Sequence, residues 1–335
     1  MEVVALIFRF LAANTHNADG IHLLAIPGGT RRPIPGSRFG GVPLDGWMRG
    51  RLSHLPHPAA NQLLLMEERG NSETYEVMAI PHSSGADNME LTYASVAKTI
   101  DHSLLSPNMT PAELADGCRL ALVYDVASVC IKPFAVTLAA EILKGSTVAV
   151  GTTIGFPHGG HSTAVKVFEA ERAMADGASE LDMVINIGQA LGGDWAAVRN
   201  DISAIVKVAH AGGGLVKVIF ENCYLQAEHI TKLCEICGEL NADYVKTSTG
   251  YGTGGATHDD LRLMRKSSPH HVKVKAAGGI RTLNQLLEVV ELGCTRVGAS
   301  KTAEILDELN ARIGGITEWP SVTPSVSRGT HNDSY

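Results

Sequence analysis

Charged side chains interrupt apolar runs at several points between Glu180 and Lys275. Asp182 lies within Leu181-Asp182-Met183-Val184-Ile185. Lys217 and Glu221 flank Val218-Ile219-Phe220, Lys246 follows Tyr244-Val245, and Lys273 and Lys275 alternate with Val272 and Val274. An ordinary lysine amine is protonated at neutral pH and cannot attack a carbonyl. A neighbouring cation and partial desolvation lower its pKa and free the lone pair. The amine then forms a Schiff base whose iminium is an electron sink, and a carboxylate or ordered water moves protons at the adjacent carbon. Two lysines and Asp182 are therefore the components of a metal-free aldolase. The residues alone do not say which lysine is the nucleophile.

The runs that carry these charges belong to a repeat. Strand-like segments at 98–102, 128–133, 147–156, 180–186, 215–221, 243–248, 272–277 and 295–299 are each followed by a helical pattern. Thr110-Pro111-Ala112-Glu113 opens the first helix, with Thr as N-cap, Pro at the first position and Glu at the third. Later helices are expected at 134–143, 162–175, 195–209, 226–239, 257–265, 283–292 and 301–311, and several end in Gly, such as Gly145, Gly177, Gly212 and Gly293. Eight strand–helix units in about 220 residues match the count and size of a (β/α)8 TIM barrel. A doubly wound open sheet is the alternative, but no Gly-rich dinucleotide fingerprint stands at an early strand–helix turn.

Parallel strands are covered on both faces and should be almost wholly apolar. An unpaired buried charge is too costly to persist, so the charged groups are expected to meet inside the barrel near its C-terminal mouth. Side-chain alternation places Lys217 and Glu221 on one face and Lys273 and Lys275 on one face. Lys273, early in its strand, reads as solvent-reaching. Lys217 and Glu221 read equally as a structural ion pair or as site residues. Asp182, Lys246 and Lys275 read as functional, because active sites collect at that mouth. Gly-rich turns follow the sixth strand (Gly250-Tyr251-Gly252-Thr253-Gly254-Gly255), the seventh (Gly278-Gly279) and the eighth (Gly298-Ala299-Ser300). Loops after strands seven and eight are where barrels hold phosphate, through backbone N–H groups and helix N-termini.

Composition narrows the function classes. The 335-residue chain has 28 Lys+Arg against 35 Asp+Glu, a formal charge of −7, which disfavours nucleic acid as a partner. It is 44% hydrophobic and 19% charged, so it supplies a core rather than a disordered chain. No apolar run is long enough for a transmembrane helix, and no membrane partner is expected. Six cysteines make no disulfide framework and fit a reducing, cytoplasmic compartment. No lysine precedes Lys98, and Gly and Pro are scattered through 26–60 without a sustained period. Residues 1–91 therefore read as a poorly ordered N-terminal extension; their Arg-rich character suggests a transit peptide, against which Glu2 and the Pro/Gly density argue. Residues 315–335 read as a C-terminal tail. Cys234-x-x-Cys237 falls mid-helix and reads as core packing. His158, His161 and the His270-His271 pair read as loop residues, not metal ligands.

The motifs Ile100-Asp101-His102-Ser103-Leu104-Leu105, Ser128-Val129-Cys130-Ile131, Ile154-Gly155-Phe156-Pro157 and Glu180-Leu181-Asp182-Met183-Val184-Ile185-Asn186-Ile187-Gly188 recur in order with three more. These are Val245-Lys246-Thr247-Ser248-Thr249-Gly250, Lys275-Ala276-Ala277-Gly278-Gly279-Ile280-Arg281 and Arg296-Val297-Gly298-Ala299-Ser300. Together they resemble the deoxyribose-phosphate aldolase family over residues 92–314, and 1–91 has no counterpart in its pattern. The resemblance implies a class I, metal-independent lyase with no cofactor. It would cleave 2-deoxy-D-ribose 5-phosphate to glyceraldehyde 3-phosphate and acetaldehyde, and would form a homo-oligomer, a dimer. It assigns Lys246 the Schiff base, Lys275 the tuning of Lys246 and a part in the proton relay, Asp182 the acid/base role and Asp101 a supporting one. The phosphate contacts fall on Gly250, Gly278, Gly279, Gly298 and Ser300. Cys130 matches a family cysteine and is read either as reactive or as a small buried hydrophobe. Lys301 departs from the small residue usual there and is read as an added cationic contact to the phosphate. Another Schiff-base aldolase with a different donor, and a barrel serving only as a scaffold, are the competing functions.

Overall fold

A computed structural model of the protein describes residues 92–314, together with six short strands nearer the N-terminus. The chain divides into two units, Met1–Asn88 and Met89–Tyr335. In the first unit β1 (Leu6–Leu11), β2 (His22–Ala25), β5 (Leu64–Glu68) and β6 (Tyr75–Ala79) form an antiparallel sheet in the order β2-β1-β5-β6. β3 (Arg38–Phe39) and β4 (Val42–Pro43) pair with each other, and strands of two residues are too short to leave a period in the sequence. These strands apart, the readings of 1–91 as a poorly ordered extension and of 315–335 as a tail fall outside the described residues.

The second unit is a closed parallel barrel. Its strands are β7 (Ile100–Leu104), β8 (Ser128–Ile131), β9 (Ala149–Ile154), β10 (Glu180–Val184), β11 (Leu215–Ile219), β12 (Tyr244–Lys246), β13 (Lys273–Ala277) and β14 (Cys294–Ala299). They pair in chain order, and β14 returns to β7. Each predicted strand segment overlaps one of them, so the (β/α)8 expectation holds.

The helices are α1 (Tyr93–Ala97), α2 (Pro111–Val123), α3 (Val136–Ile142), α4 (Thr163–Ala175), α5 (Ile187–Leu191), α6 (Trp195–Ala211), α7 (Ala227–Glu239), α8 (His258–Ser267), α9 (Leu283–Glu291) and α10 (Thr302–Arg312). The reciprocal cap at Thr110 forms: its side chain accepts from the Glu113 N–H, and the Glu113 carboxylate accepts from the Thr110 N–H at 2.7 Å. α1 and α5, each of five residues, escape sequence reading, being shorter than two helical turns.

Strand pleating sorts the side chains. On β10, Leu181 and Met183 are fully buried in the apolar layer beneath the helices, while Glu180 and Asp182 join the charged cluster of the barrel interior. The same apolar layer takes Val216, Val218, Val245, Val274 and Val297. Register then sets the inward residues side by side: Asp182 beside Lys217, Lys246 beside Lys275, and Lys275 beside Arg296.

Among the described residues, one ion pair is buried outside the barrel interior. Lys166 Nζ of α4 lies 2.5 Å from Asp201 Oδ2 of α6 and 2.8 Å from the carbonyl of Val184, the last residue of β10. It ties two helices to the strand that carries Asp182. Replacing Lys166 by Met leaves Asp201 buried without its cation, at an expected cost of about 3–5 kcal/mol. Denaturant midpoints should show that loss, and Lys166→Met/Asp201→Leu should recover much of it.

Candidate active site

The barrel interior holds seven ionisable side chains in mutual contact: Asp101, Glu180, Asp182, Lys217, Lys246, Lys275 and Arg296. Asp182 sits at the junction. Its Oδ2 accepts from Lys246 Nζ and Lys275 Nζ, each at 2.7 Å, and its Oδ1 accepts from Lys217 Nζ at 3.0 Å. Lys217 Nζ also donates to Glu180 Oε2 at 2.5 Å and lies 3.0 Å from Asp101 Oδ2. Lys275 Nζ lies 2.5 Å from Asp101 Oδ2. Arg296 closes the network on Asp101 and, through Nη2, on Glu180 Oε1 at 2.8 Å.

Three carboxylates thus face four cationic groups. With all seven ionised, the buried cluster carries one surplus positive charge. Releasing one lysine proton removes that surplus, and the surroundings select which. Burial opposes the charge on Lys246; Asp182 favours it and Lys275 disfavours it, and the balance lowers its pKa below the ordinary lysine value. Burial also opposes the charges on Lys275 and Lys217, but each faces two or more carboxylates, and both pKa values are raised. Asp182 and Asp101 are driven the other way: burial alone would raise them, and the surrounding cations outweigh it and lower both. Lys217 and Lys275 each face two or more carboxylates and Lys246 faces Asp182, so the number of carboxylates around each nitrogen sets Lys246 apart.

The other predicted site residues distribute as follows. Cys130 on β8 has its Sγ 3.9 Å from Asp182 Oδ2. Burial, and then the Asp182 charge, push its thiol up to about 11, so it remains a neutral thiol at the edge of the cluster. Lys273 is exposed at the start of β13, as its position suggested, with its ammonium 5.7 Å from the Tyr244 ring. Lys217 and Glu221 do not pair. Glu221 follows the end of β11 in a left-handed conformation, φ 60°, which breaks the alternation and turns its carboxylate to the Thr249 N–H and hydroxyl. Sequence reading missed the interior roles of Glu180 and Arg296 and left Lys217 undecided. The available signal was the two-residue spacing of Glu180 from Asp182 and a lone Arg in the apolar segment 295–299.

The loops after β12, β13 and β14 meet at the same end of the barrel. The Ala256 N–H donates to both the Ala277 and Gly278 carbonyls at 3.1 Å, drawing the first two loops together. A side chain at Gly255 would lie 2.3 Å from the Gly278 carbonyl oxygen, and Gly278 itself has φ +85°, so close approach and conformation both demand glycine. Gly298 abuts the cluster, where an added Cβ would stand 3.6 Å from Lys275 Cε. Thr282 and Gln285 cap α9, whereas α10, entered through Ser300 and Lys301, has no side-chain cap on its first N–H groups. Lys301 Nζ is 3.3 Å from Glu304 Oε1, with 40% of its side chain exposed.

A (β/α)8 barrel that sets two lysine amines on one buried carboxylate oxygen is the apparatus of a lysine-dependent aldolase. Comparison with known proteins bears this out: the sequence model of the DeoC/LacD family aldolases matches residues 95–313. The chain belongs to that family. It is 58% identical over 222 residues to a deoxyribose-phosphate aldolase of Rhodopirellula baltica, covering 66% of this chain and 92% of that one. A Thermococcus kodakarensis enzyme of the same name is 50% identical over 63% of this chain and 96% of its own. Among solved structures, the deoxyribose phosphate aldolase of Aeropyrum pernix, described as a tetramer, is 30% identical with a TM-score of 0.63, covering 67% of this chain and 94% of that one.

Only the neutral amine attacks a carbonyl, so trapping of a small aldehyde by borohydride should rise with pH through the lowered Lys246 pKa. Lys275→Leu removes a like charge and leaves Asp101 and Asp182 less compensated. Both changes raise the Lys246 pKa, so the acid limb of the trapping rate should move to higher pH. A limb that stays in place or moves lower would show that Lys275 does not set the Lys246 amine.

Proposed function

We propose that residues 92–314 form a class I aldolase that reversibly cleaves 2-deoxy-D-ribose 5-phosphate to D-glyceraldehyde 3-phosphate and acetaldehyde. The observation that carries this reading is Lys246: buried, lowered in pKa, and bonded to the carboxylate oxygen that also holds Lys275. The neutral Lys246 Nζ attacks C1 of the open-chain sugar, and loss of water from the carbinolamine gives the iminium. Removal of the C3 hydroxyl proton then lets the C2–C3 bond break, its electron pair passing to the iminium nitrogen. Glyceraldehyde 3-phosphate leaves; the enamine is protonated at C2, and water releases acetaldehyde and the free amine. Asp182 and Lys275 stand where a proton must be carried to and from that nitrogen. Asp101 supports the relay by holding Lys275, Lys217 and Arg296 in place.

The phosphate is read onto Gly250, Gly278, Gly279, Gly298 and Ser300, with Lys301 adding positive charge. The uncapped first turn of α10, the approach of the loops after β12 and β13, and Gly298 beside Ala277 support this placement. An oligomer, read as a dimer, is supported by the exposure of Phe134 and Phe168, 69% and 70%. Cytoplasmic residence is supported by free thiols at all six cysteines. Among the described residues no helix is long and apolar enough to cross a membrane.

Borohydride reduction in the presence of 2-deoxy-D-ribose 5-phosphate, followed by peptide mass mapping, should place the adduct on Lys246. Folded protein without an adduct on Lys246 or Lys275 would overturn the aldolase reading. Lys301→Ala should raise the KM for the phosphorylated sugar by about 2–5-fold, the range of one exposed ionic contact. An unchanged KM would remove Lys301 from the phosphate site.

A further inference from the structure

The loop after β12 carries one large side chain. Between Thr247 and Thr257 no residue except Tyr251 exceeds threonine in size. The Tyr251 hydroxyl donates to the Leu105 carbonyl at 2.8 Å, and Leu105 directly follows β7. Its ring meets that of Phe156, just beyond β9, edge to face, with centroids 5.4 Å apart at 85°. In the closed strand order β12 stands opposite β8, and β7 and β9 flank β8. The loop that leaves β12 and carries Tyr251, which meets the residue after β7 and the Phe156 ring beyond β9, therefore reaches across the mouth of the barrel.

This span divides the mouth. The line from β12 to β7 leaves β13 and β14, with their glycine loops, on one side; the line from β12 to β9 leaves β10 and β11 on the other. The root of the span is held as well. Buried Glu221 accepts from the Thr249 N–H at 3.2 Å and from its hydroxyl, and that hydroxyl oxygen accepts from the Tyr251 N–H at 2.9 Å. A left-handed non-glycine residue is a costly way to orient a carboxylate, and here it fixes the backbone from which Tyr251 projects.

We propose that Tyr251 is the specificity-determining residue of the mouth. It walls the compartment between the Lys246 amine and the glycine loops, and so limits the length of aldehyde that can lie opposite the enamine. The proposal rests on the aldolase reading above. A short acceptor with a terminal phosphate fits between Lys246 and the loops after β13 and β14. A longer, unphosphorylated aldehyde must extend toward β8, where the ring stands. Tyr251→Phe keeps the ring but releases the Leu105 carbonyl; Tyr251→Ala removes the wall.

The test is the synthetic direction, with acetaldehyde as donor and glyceraldehyde 3-phosphate or hexanal as acceptor. Tyr251→Phe should raise the KM for glyceraldehyde 3-phosphate by about 2–10-fold with a smaller change in kcat, as expected for one hydrogen bond. Tyr251→Ala should raise the hexanal to glyceraldehyde 3-phosphate ratio of kcat/KM by at least about 10-fold. A general loosening of the fold would lower both acceptors together and leave the ratio unmoved, and Tyr251→Leu offers a second variant with a filled loop. If borohydride traps acetaldehyde on Lys246 in the wild type and the variants but the ratio stays constant, the proposal fails and the aldolase reading stands. If no adduct forms in the wild type, both fail.

Discussion

Seven charged groups packed into one barrel interior are the constraint on which the rest of the structure depends. A barrel of this size ordinarily fills its centre with layers of branched apolar side chains. Here Asp101, Asp182 and Lys217 have no exposed surface, and Lys246 and Lys275 have 3% and 1%. None could remain ionised alone at that depth. Each is tolerable because the others are present, so the strands must close in the register that brings them together. The requirement for mutual compensation and the requirement for a reactive amine are met by the same arrangement. Compensation is almost complete, and Lys246, which faces Asp182 alone, is the lysine whose pKa is lowered.

The surrounding elements serve that arrangement. β10 contributes Glu180 and Asp182 on one face while its other face joins the apolar layer under the helices. Outside it, the Lys166–Asp201 pair reaches the Val184 carbonyl and secures the C-terminal end of the same strand. At the mouth, the loops after β12 and β13 approach so closely that Gly255 and Gly278 tolerate no side chain. The polar residues beyond the strand ends, Glu221 and Thr249, bond to each other and hold the β12 loop. The path from charge cluster to glycine-rich loops is therefore short, with Gly298 against Lys275, and built on strand ends, where backbone position is well determined.

Much of this was legible in the chain. The eight strands and the eight helices that follow them left a period-2 or period-3.6 trace, and the Thr110 cap could be read residue by residue. Asp182, Lys246 and Lys275 stood out because a charge inside an apolar run is expensive and demands an explanation. Glu180 and Arg296 did not stand out, since each lies at or near a strand terminus, where a charge ordinarily reaches water. Alternation put Lys217 and Glu221 on one face and left them equally an ion pair or site residues; one left-handed residue, Glu221 itself, which no local pattern announced, parts them. The two five-residue helices were too short to show a period.

By itself the sequence determined the alternation, the apolar layer of the strands and the chemical kinds available at the mouth. These are local properties, set by propensity, spacing and the cost of burying charge. Tertiary structure alone decided which lysine has its pKa lowered and which carbonyl and ring Tyr251 meets. A pKa depends on distances through space, and Lys246, Asp182, Lys275 and Asp101 come from four strands that become neighbours only when β14 closes on β7. Tyr251 likewise finds Leu105 and Phe156 only across that closed ring, at separations along the chain over which sequence patterns carry no record of contact.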